Sequence, residues 1–207
     1  MTVDAKLTPA EAWNRLREGN LRFTSATSDH PNQDANRRAE LAGGQHPFAV
    51  IFGCSDSRLA AEIIFDVGLG DVFVVRTAGH VIDDAVLGTL EYSVSILNIP
   101  LIVVLGHDSC GAVTASVDSY NSGIMPTGFV RDLVERILPS VITAHRDGTT
   151  DVNGNVVEHV KQTTERMVDS SKIIADAVDG GRTAVIGVTY RLAEGRAELV
   201  SGFGNVE

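Results

Sequence analysis

A chain of 207 residues, 43% hydrophobic and 21% charged, is long enough to bury one sizeable core. Its formal net charge of -10 and isoelectric point near 5.0 argue against nucleic acid or an anionic membrane as partner, since both call for a basic face. Met1 to Leu7 lacks the apolar segment of a signal peptide, and no run approaches the ~20 apolar residues of a membrane span, so a cytoplasmic address is expected.

The first element is announced by Thr8, a helix N-cap followed by Pro9 and, at the third helical position, Glu11. The helix expected over Pro9 to Phe23 carries Trp13, Leu16, Asn20 and Phe23 at helical spacing, with no evident home for that stripe within one α/β layer. A short helix over Gln33 to Leu41 ends at Gly43 and Gly44. Phe48 to Gly53 is a continuous apolar run, as befits a strand buried on both faces. Further strands are expected over Val72 to Val75, Pro100 to Leu105 and Thr183 to Thr189. A turn at Glu194-Gly195 leads to a fifth over Arg196 to Val200. Helical patterns lie between them, at Leu59 to Phe65, Asp83 to Leu97, Ala112 to Tyr120, Val130 to His145 and Val157 to Val178. Asp147 to Asn155 reads as a polar, mobile loop. Strands alternating with helices predict an α/β fold: a mainly parallel central sheet, four parallel strands plus an antiparallel edge strand, flanked by helices and preceded by an N-terminal helical arm. No repeat or linker divides the chain, so residues 1–207 are expected to form one domain, with residues 1–45 as the arm and 46–207 as the core.

The chemistry gathers at strand ends. The first apolar strand runs into Cys54-Ser55-Asp56-Ser57-Arg58, and the third into Gly106-His107-Asp108-Ser109-Cys110-Gly111. In a parallel sheet ligands bind beyond the carboxyl ends of the strands. If these two strands are neighbours, Cys54, His107 and Cys110 converge. Two thiolates and one imidazole make a three-ligand zinc set with the fourth position open for water. Cys110 would lie at a helix N-terminus, which favours its thiolate. No such context surrounds His30, His46, His80, His145 or His159, which are expected on the surface or in packing roles. Three readings stand open for Asp56: a fourth metal ligand, an acceptor for metal-bound water, or one half of a loop ion pair with Arg58.

The pair of motifs, Cys54-Ser-Asp56-Ser-Arg58 and His107-x-x-Cys110-Gly111, resembles the β-class carbonic anhydrases. The similarity runs from about Leu16 to Tyr190 and takes in Gly44-Gln45-x-Pro47, Val74-Val75-Arg76-x-Ala78-Gly79 and Leu90-Glu91-Tyr92-Ser93-Val94. The resemblance implies reversible hydration of CO2 to bicarbonate and a proton, by attack of hydroxide formed at one Zn2+ per subunit. It implies zinc on Cys54, His107 and Cys110, catalysis by Asp56 and Arg58, and a substrate pocket containing Gln45, Phe73 and Tyr92. It implies a homodimer, or a dimer of dimers forming a homotetramer, in which the N-terminal arm packs on the partner and each cleft is completed across the interface. In a closed, low-pH state Asp56 would leave Arg58 and become the fourth zinc ligand. Some relatives bind inhibitory bicarbonate through a Trp, an Arg and a Tyr. Here Arg76 and Tyr190 fall on the last two positions but Ile51 replaces the Trp, so that site is not expected and Arg76 is assigned an ion-pair role instead. Two other readings of the same residues remain: hydrolysis of another cumulated substrate such as carbon disulfide, and a purely structural zinc held by four protein ligands.

Overall fold

The structure is a computed structural model that describes residues 7–206; Met1 to Lys6, within the stretch read for a signal peptide, and Glu207 lie outside the described residues. Five strands form one sheet: β1 (Ala49–Cys54), β2 (Val72–Thr77), β3 (Leu101–His107), β4 (Ala184–Arg191) and β5 (Arg196–Phe203), in the order β2-β1-β3-β4-β5. The first four are parallel, and β5 closes one edge antiparallel to β4. Each strand expected from the sequence is present, and most run a residue or more further at the C-terminal end. That extension carries Cys54 and His107 into the sheet itself. Every residue of β1 and β3 is buried, which is why both read as unbroken apolar runs.

Among the described residues eight α-helices flank the sheet: α1 (Pro9–Thr24), α2 (Ala35–Glu40), α3 (Ala61–Ile64), α4 (Asp84–Ser95), α5 (Gly111–Ser122), α6 (Val130–Arg146), α7 (Val152–Ser170) and α8 (Lys172–Asp179). Helix α1 starts with a full capping box: the Thr8 hydroxyl accepts the Glu11 N–H, and the Glu11 carboxylate accepts the Thr8 N–H at 2.7 Å. Its apolar stripe has a home inside the chain, contrary to the expectation that only a partner could cover it. Ala12, Trp13 and Leu16 are buried in the main core. Asn20 ties the same face down, donating to the carbonyls of Ile64 and Gly195 and accepting from the Ala197 N–H.

Two local readings are corrected. The segment read as a loop to Asn155 is helical from Val152, because Asp151 caps the Gly154 N–H at 3.0 Å. The single helix expected over Val157 to Val178 is two helices. Ser171 is extended, its hydroxyl caps the Ile174 N–H and donates to the Glu91 carboxylate at 2.6 Å, and the chain restarts as α8. Helix α7 lies close on the sheet because Gly106 has no side chain; a Cβ there would fall 2.4 Å from Val160 Cγ2. That approach brings the middle of α7 behind the end of β3.

Candidate metal centre

Strand order decides the site. β1 and β3 are hydrogen-bonded neighbours, with Gly53 opposite Leu105, so Cys54 and His107 emerge side by side at their carboxyl ends. The loop after β3 turns sharply at Ser109, whose φ of 53° is left-handed. The Ser109 N–H donates to Asn153 Oδ1 at 3.0 Å, the Asp108 N–H to the Tyr190 carbonyl at 3.1 Å, and the Asp108 carboxylate accepts the Leu192 N–H. This turn returns Cys110 to the site as the N-cap of α5. The two sulfurs and the imidazole nitrogen of Cys54, Cys110 and His107 all lie within 4.8 Å of one another, and all three residues are buried.

The donor set fits a zinc ion. His107 Nδ1 donates to the Asp108 carbonyl at 2.8 Å, which leaves the lone pair on Nε2. That nitrogen is buried and has no hydrogen-bond partner, an orphan that a metal would satisfy. The two thiols shift each other in opposite directions. Cys54 is pulled well below the ordinary thiol range, chiefly by Cys110, with smaller contributions from His107 and from the Gly79 N–H, which donates to its sulfur at 3.3 Å. Cys110 is pushed up, first by Cys54 and then by burial. Burial works against charge on His107, but the Cys54 thiolate beside it outweighs burial and raises the pKa. A bound dication would favour both sulfurs as thiolates.

Asp56 and Arg58 stand at the mouth of this cluster. Arg58 grips the carboxylate with Nε on Oδ1 at 2.9 Å and Nη2 on Oδ2 at 2.7 Å, and its backbone N–H adds a third bond to Oδ1. The Arg58 side chain is the largest reason that the Asp56 carboxyl lies far below its usual range. Arg76, expected as an interior or interface ion-pair partner, forms no described ion pair within the chain. Its guanidinium donates to two backbone carbonyls, Cys54 at 2.9 Å and Asp56 at 2.6 Å, and so holds the loop that presents the site. Tyr190, buried on β4 opposite His107, forms no described contact with Arg76.

The three pocket residues taken from the resemblance do not join the cluster within one chain. Phe73 pairs with Val50 near the start of β2, four positions before Thr77, the residue that lies opposite Cys54. At roughly 3.3 Å per residue it sits on the order of 13 Å from the strand end that carries the chemistry. Tyr92, 45% exposed, faces Phe73 with ring centroids 6.4 Å apart. Gln45 is exposed and lines a separate hollow with Arg38, Leu41 and Leu69. His159 and His80 are expected from the sequence only in surface or packing roles. Both are buried, with rings 4.5 Å apart behind the cluster, and nothing in their local sequence marks them.

Comparison with known proteins agrees with this geometry. A family model described as carbonic anhydrase matches residues 49–197. Carbonic anhydrase 2 of Mycobacterium tuberculosis (strain H37Rv) is 56% identical over 198 residues, covering 96% of both chains. A carbonic anhydrase of Mycolicibacterium smegmatis is 52% identical, again over 96% of both. Among solved structures, one of two tetrameric β-carbonic anhydrases from Sordaria macrospora superimposes with a TM-score of 0.74 at 23% identity, covering 93% of this chain and 98% of that one.

Proposed function

This chain belongs to the β-class carbonic anhydrases, zinc enzymes that hydrate CO2 reversibly to bicarbonate and a proton, and from that premise we propose which of its residues carry the reaction. The observation that carries the proposal is the buried, partnerless His107 Nε2 clustered with two buried sulfurs. Cys54, His107 and Cys110 would hold the metal. Zinc, when bound, supplies a Lewis acid that makes water a competent nucleophile near neutral pH.

The chain's own part is to orient that water and to keep the site ready. Asp56 remains an unprotonated acceptor throughout the neutral range, because Arg58 stabilises its charge. Its Oδ2 lies 3.9 Å from His107 Nε2, within reach of a proton on a water molecule in the cluster. With both carboxylate oxygens engaged by Arg58, its orientation is fixed before substrate arrives. An Asp56 committed to Arg58 also leaves the fourth position open, which weighs against a purely structural metal. The homologues named carbonic anhydrase at more than half identity weigh against carbon disulfide as substrate.

Assembly completes the reading. A second copy supplies Gln45, Phe73 and Tyr92 to the cleft, since within one chain Phe73 stands at the wrong end of β2. β2 is an unpaired edge of the sheet and offers the natural seam. The unit is a single domain forming a homodimer, whose arm at residues 1–45 meets the partner through faces of α1 and α2 that the chain's own core leaves open, such as exposed Leu21. Exposed Ile124 and Phe129 favour further pairing into a tetramer. The two free thiols suit a reducing cytoplasm, and no described helix is long and apolar enough to cross a membrane. Stopped-flow CO2 hydration by the zinc-loaded protein tests the whole. Activity lost together with zinc in Cys54→Ser is the expected result, and an active, zinc-free Cys54→Ser protein would refute it.

A further inference from the structure

Behind the cluster, a hydrogen-bonded chain runs from α6 through α7 to one of the sulfurs. Gly79 lies just past β2, in a short 3-10 turn at Ala78–His80, with a left-handed φ of 64°. A Cβ there would fall 2.8 Å from the Ala112 Cβ and 2.9 Å from Ile137 Cδ1, so only glycine fits both the conformation and the space. Its N–H donates to Cys54 Sγ at 3.3 Å, and its carbonyl receives His159 Nε2 at 3.0 Å. A carbonyl only accepts, so Nε2 carries the ring proton and Nδ1 is the acceptor. Ser140 on α6 stands beside it, its hydroxyl 3.0 Å from Nδ1 and 3.0 Å from Gln162 Oε1, so that its single proton is divided between these two acceptors. The ring is thus held by Nε2 on the Gly79 carbonyl, with Ser140 against Nδ1 and the His80 ring 4.5 Å away. Burial holds His159 neutral, its pKa depressed to about 4, so the arrangement persists across the working pH range. His159 touches neither substrate nor cluster and acts through Gly79 alone.

We infer that His159 is a positioning residue for the metal centre: by anchoring the Gly79 carbonyl it aims the Gly79 N–H at the Cys54 sulfur, and so sets how firmly Cys54 holds zinc. An N–H bond to a ligand thiolate stabilises its charge, fixes the direction of its lone pairs and reduces the electron density it gives the metal. Without the anchor, the left-handed turn at Ala78–His80 is free to rotate its peptides away from the sulfur. This inference rests on the reading that Cys54 ligates zinc.

The test is zinc affinity, measured by competition with a chromophoric chelator, and the energy of the sulfur-to-metal charge-transfer band after cobalt substitution. His159→Leu removes the donor, His159→Gln keeps an N–H at similar reach, and Val160→Ala loosens the same helix without touching the bond. Expected is a loss of zinc affinity of roughly 10–100-fold in His159→Leu with a shifted cobalt band, and values within about threefold of the unmodified protein in the other two. Unchanged affinity and cobalt band in His159→Leu, or an equal loss in Val160→Ala, would overturn the inference while leaving the zinc site standing. Failure of the unmodified protein to bind zinc would overturn both. Should His159→Leu not fold, Ser140→Ala takes its place. It frees Nδ1 and is expected to weaken zinc in the same direction, and no change there is the contrary result.

Discussion

The Asp56 Oδ2 atom lies 3.9 Å from His107 Nε2, close enough to address the metal position and yet bound to Arg58 at 2.7 Å. The carboxylate therefore has two claimants, and the arginine holds it in this structure. Arg58→Ala is expected to keep full zinc stoichiometry and to lower kcat/KM for CO2 hydration by roughly 10–100-fold even at alkaline pH, because Asp56 is then free to close the site. Stopped-flow profiles between about pH 6 and 9 measure this, and crystals grown near both limits would show whether Asp56 leaves Arg58 at the acid end, as expected from the usual range of metal-bound water. Activity of Arg58→Ala equal to that of the unmodified protein would contradict the assignment.

His80 gives a second, independent pH dependence. It is fully buried, and burial first, then the neighbouring His159 and His107, hold its pKa well below 6.5. The unfolded chain therefore binds the proton that the folded chain refuses. Its contribution to stability is complete above about pH 6.5 and is lost as pH falls below that value. His80→Asn tolerates the left-handed φ of 43° at this position and removes the titration. Urea unfolding between about pH 5 and 7 is expected to show a slope lower by up to ~1.4 kcal/mol per pH unit in the variant. Equal slopes would mean that His80 takes up its proton in the folded state.

At the far side of the molecule, Asp66 clamps the end of α1. Its buried carboxylate accepts the N–H groups of Asp29 and His30 at 3.0 Å and pairs with Arg22 Nε at 2.6 Å. Burial opposes its charge, but these donors outweigh it and lower the pKa. Asp66→Asn is expected to cost about 3 kcal/mol at pH 7, because a buried arginine contact and one N–H lose their acceptor. A depressed carboxyl stabilises above the unfolded value near ~3.9, and that part is lost as pH falls through the folded value. The difference between variant and parent should therefore shrink in urea titrations repeated toward about pH 3; a difference that stayed constant would assign the loss to packing.

Phe73 offers a mixing experiment. If a second copy completes each cleft, Cys54→Ser and Phe73→Ala chains impair different halves of the same site. Co-refolding the two should produce mixed dimers with one intact cleft and recover activity that neither variant has alone. Recovery no greater than the sum of the separate activities would place Phe73 outside the partner's cleft.

Much of the fold is written in short runs that the sequence cannot disguise. Phe48 to Gly53 is apolar throughout because both of its faces are covered, and β1 is entirely buried. The two motifs at the strand ends were legible for the same reason: a strand that stops at a cysteine or a histidine leaves that residue at the sheet's edge. What escaped notice depended on distance or on one atom. The start of α7 turned on a single Asp151 side chain amid residues that favour turns. The stripe on α1 was plain, but its destination among Ile64, Gly195 and Ala197 was not, since those partners come from elements remote in sequence. His159 has no local signature because its partner is Gly79, and Arg76 looks like a charge seeking a charge until the open carbonyls beside it are seen.

The pairing of β1 with β3 would give a metal bound at Cys54, His107 and Cys110 a part in stability as well as in chemistry. Cys54 and His107 come from strands that touch only after the chain has laid β2 down outside β1 and returned across it. A slip of one residue between them would turn one ligand toward the opposite face of the sheet. A metal held by all three residues would therefore stabilise only the correctly threaded sheet, the one arrangement that presents the whole ligand set.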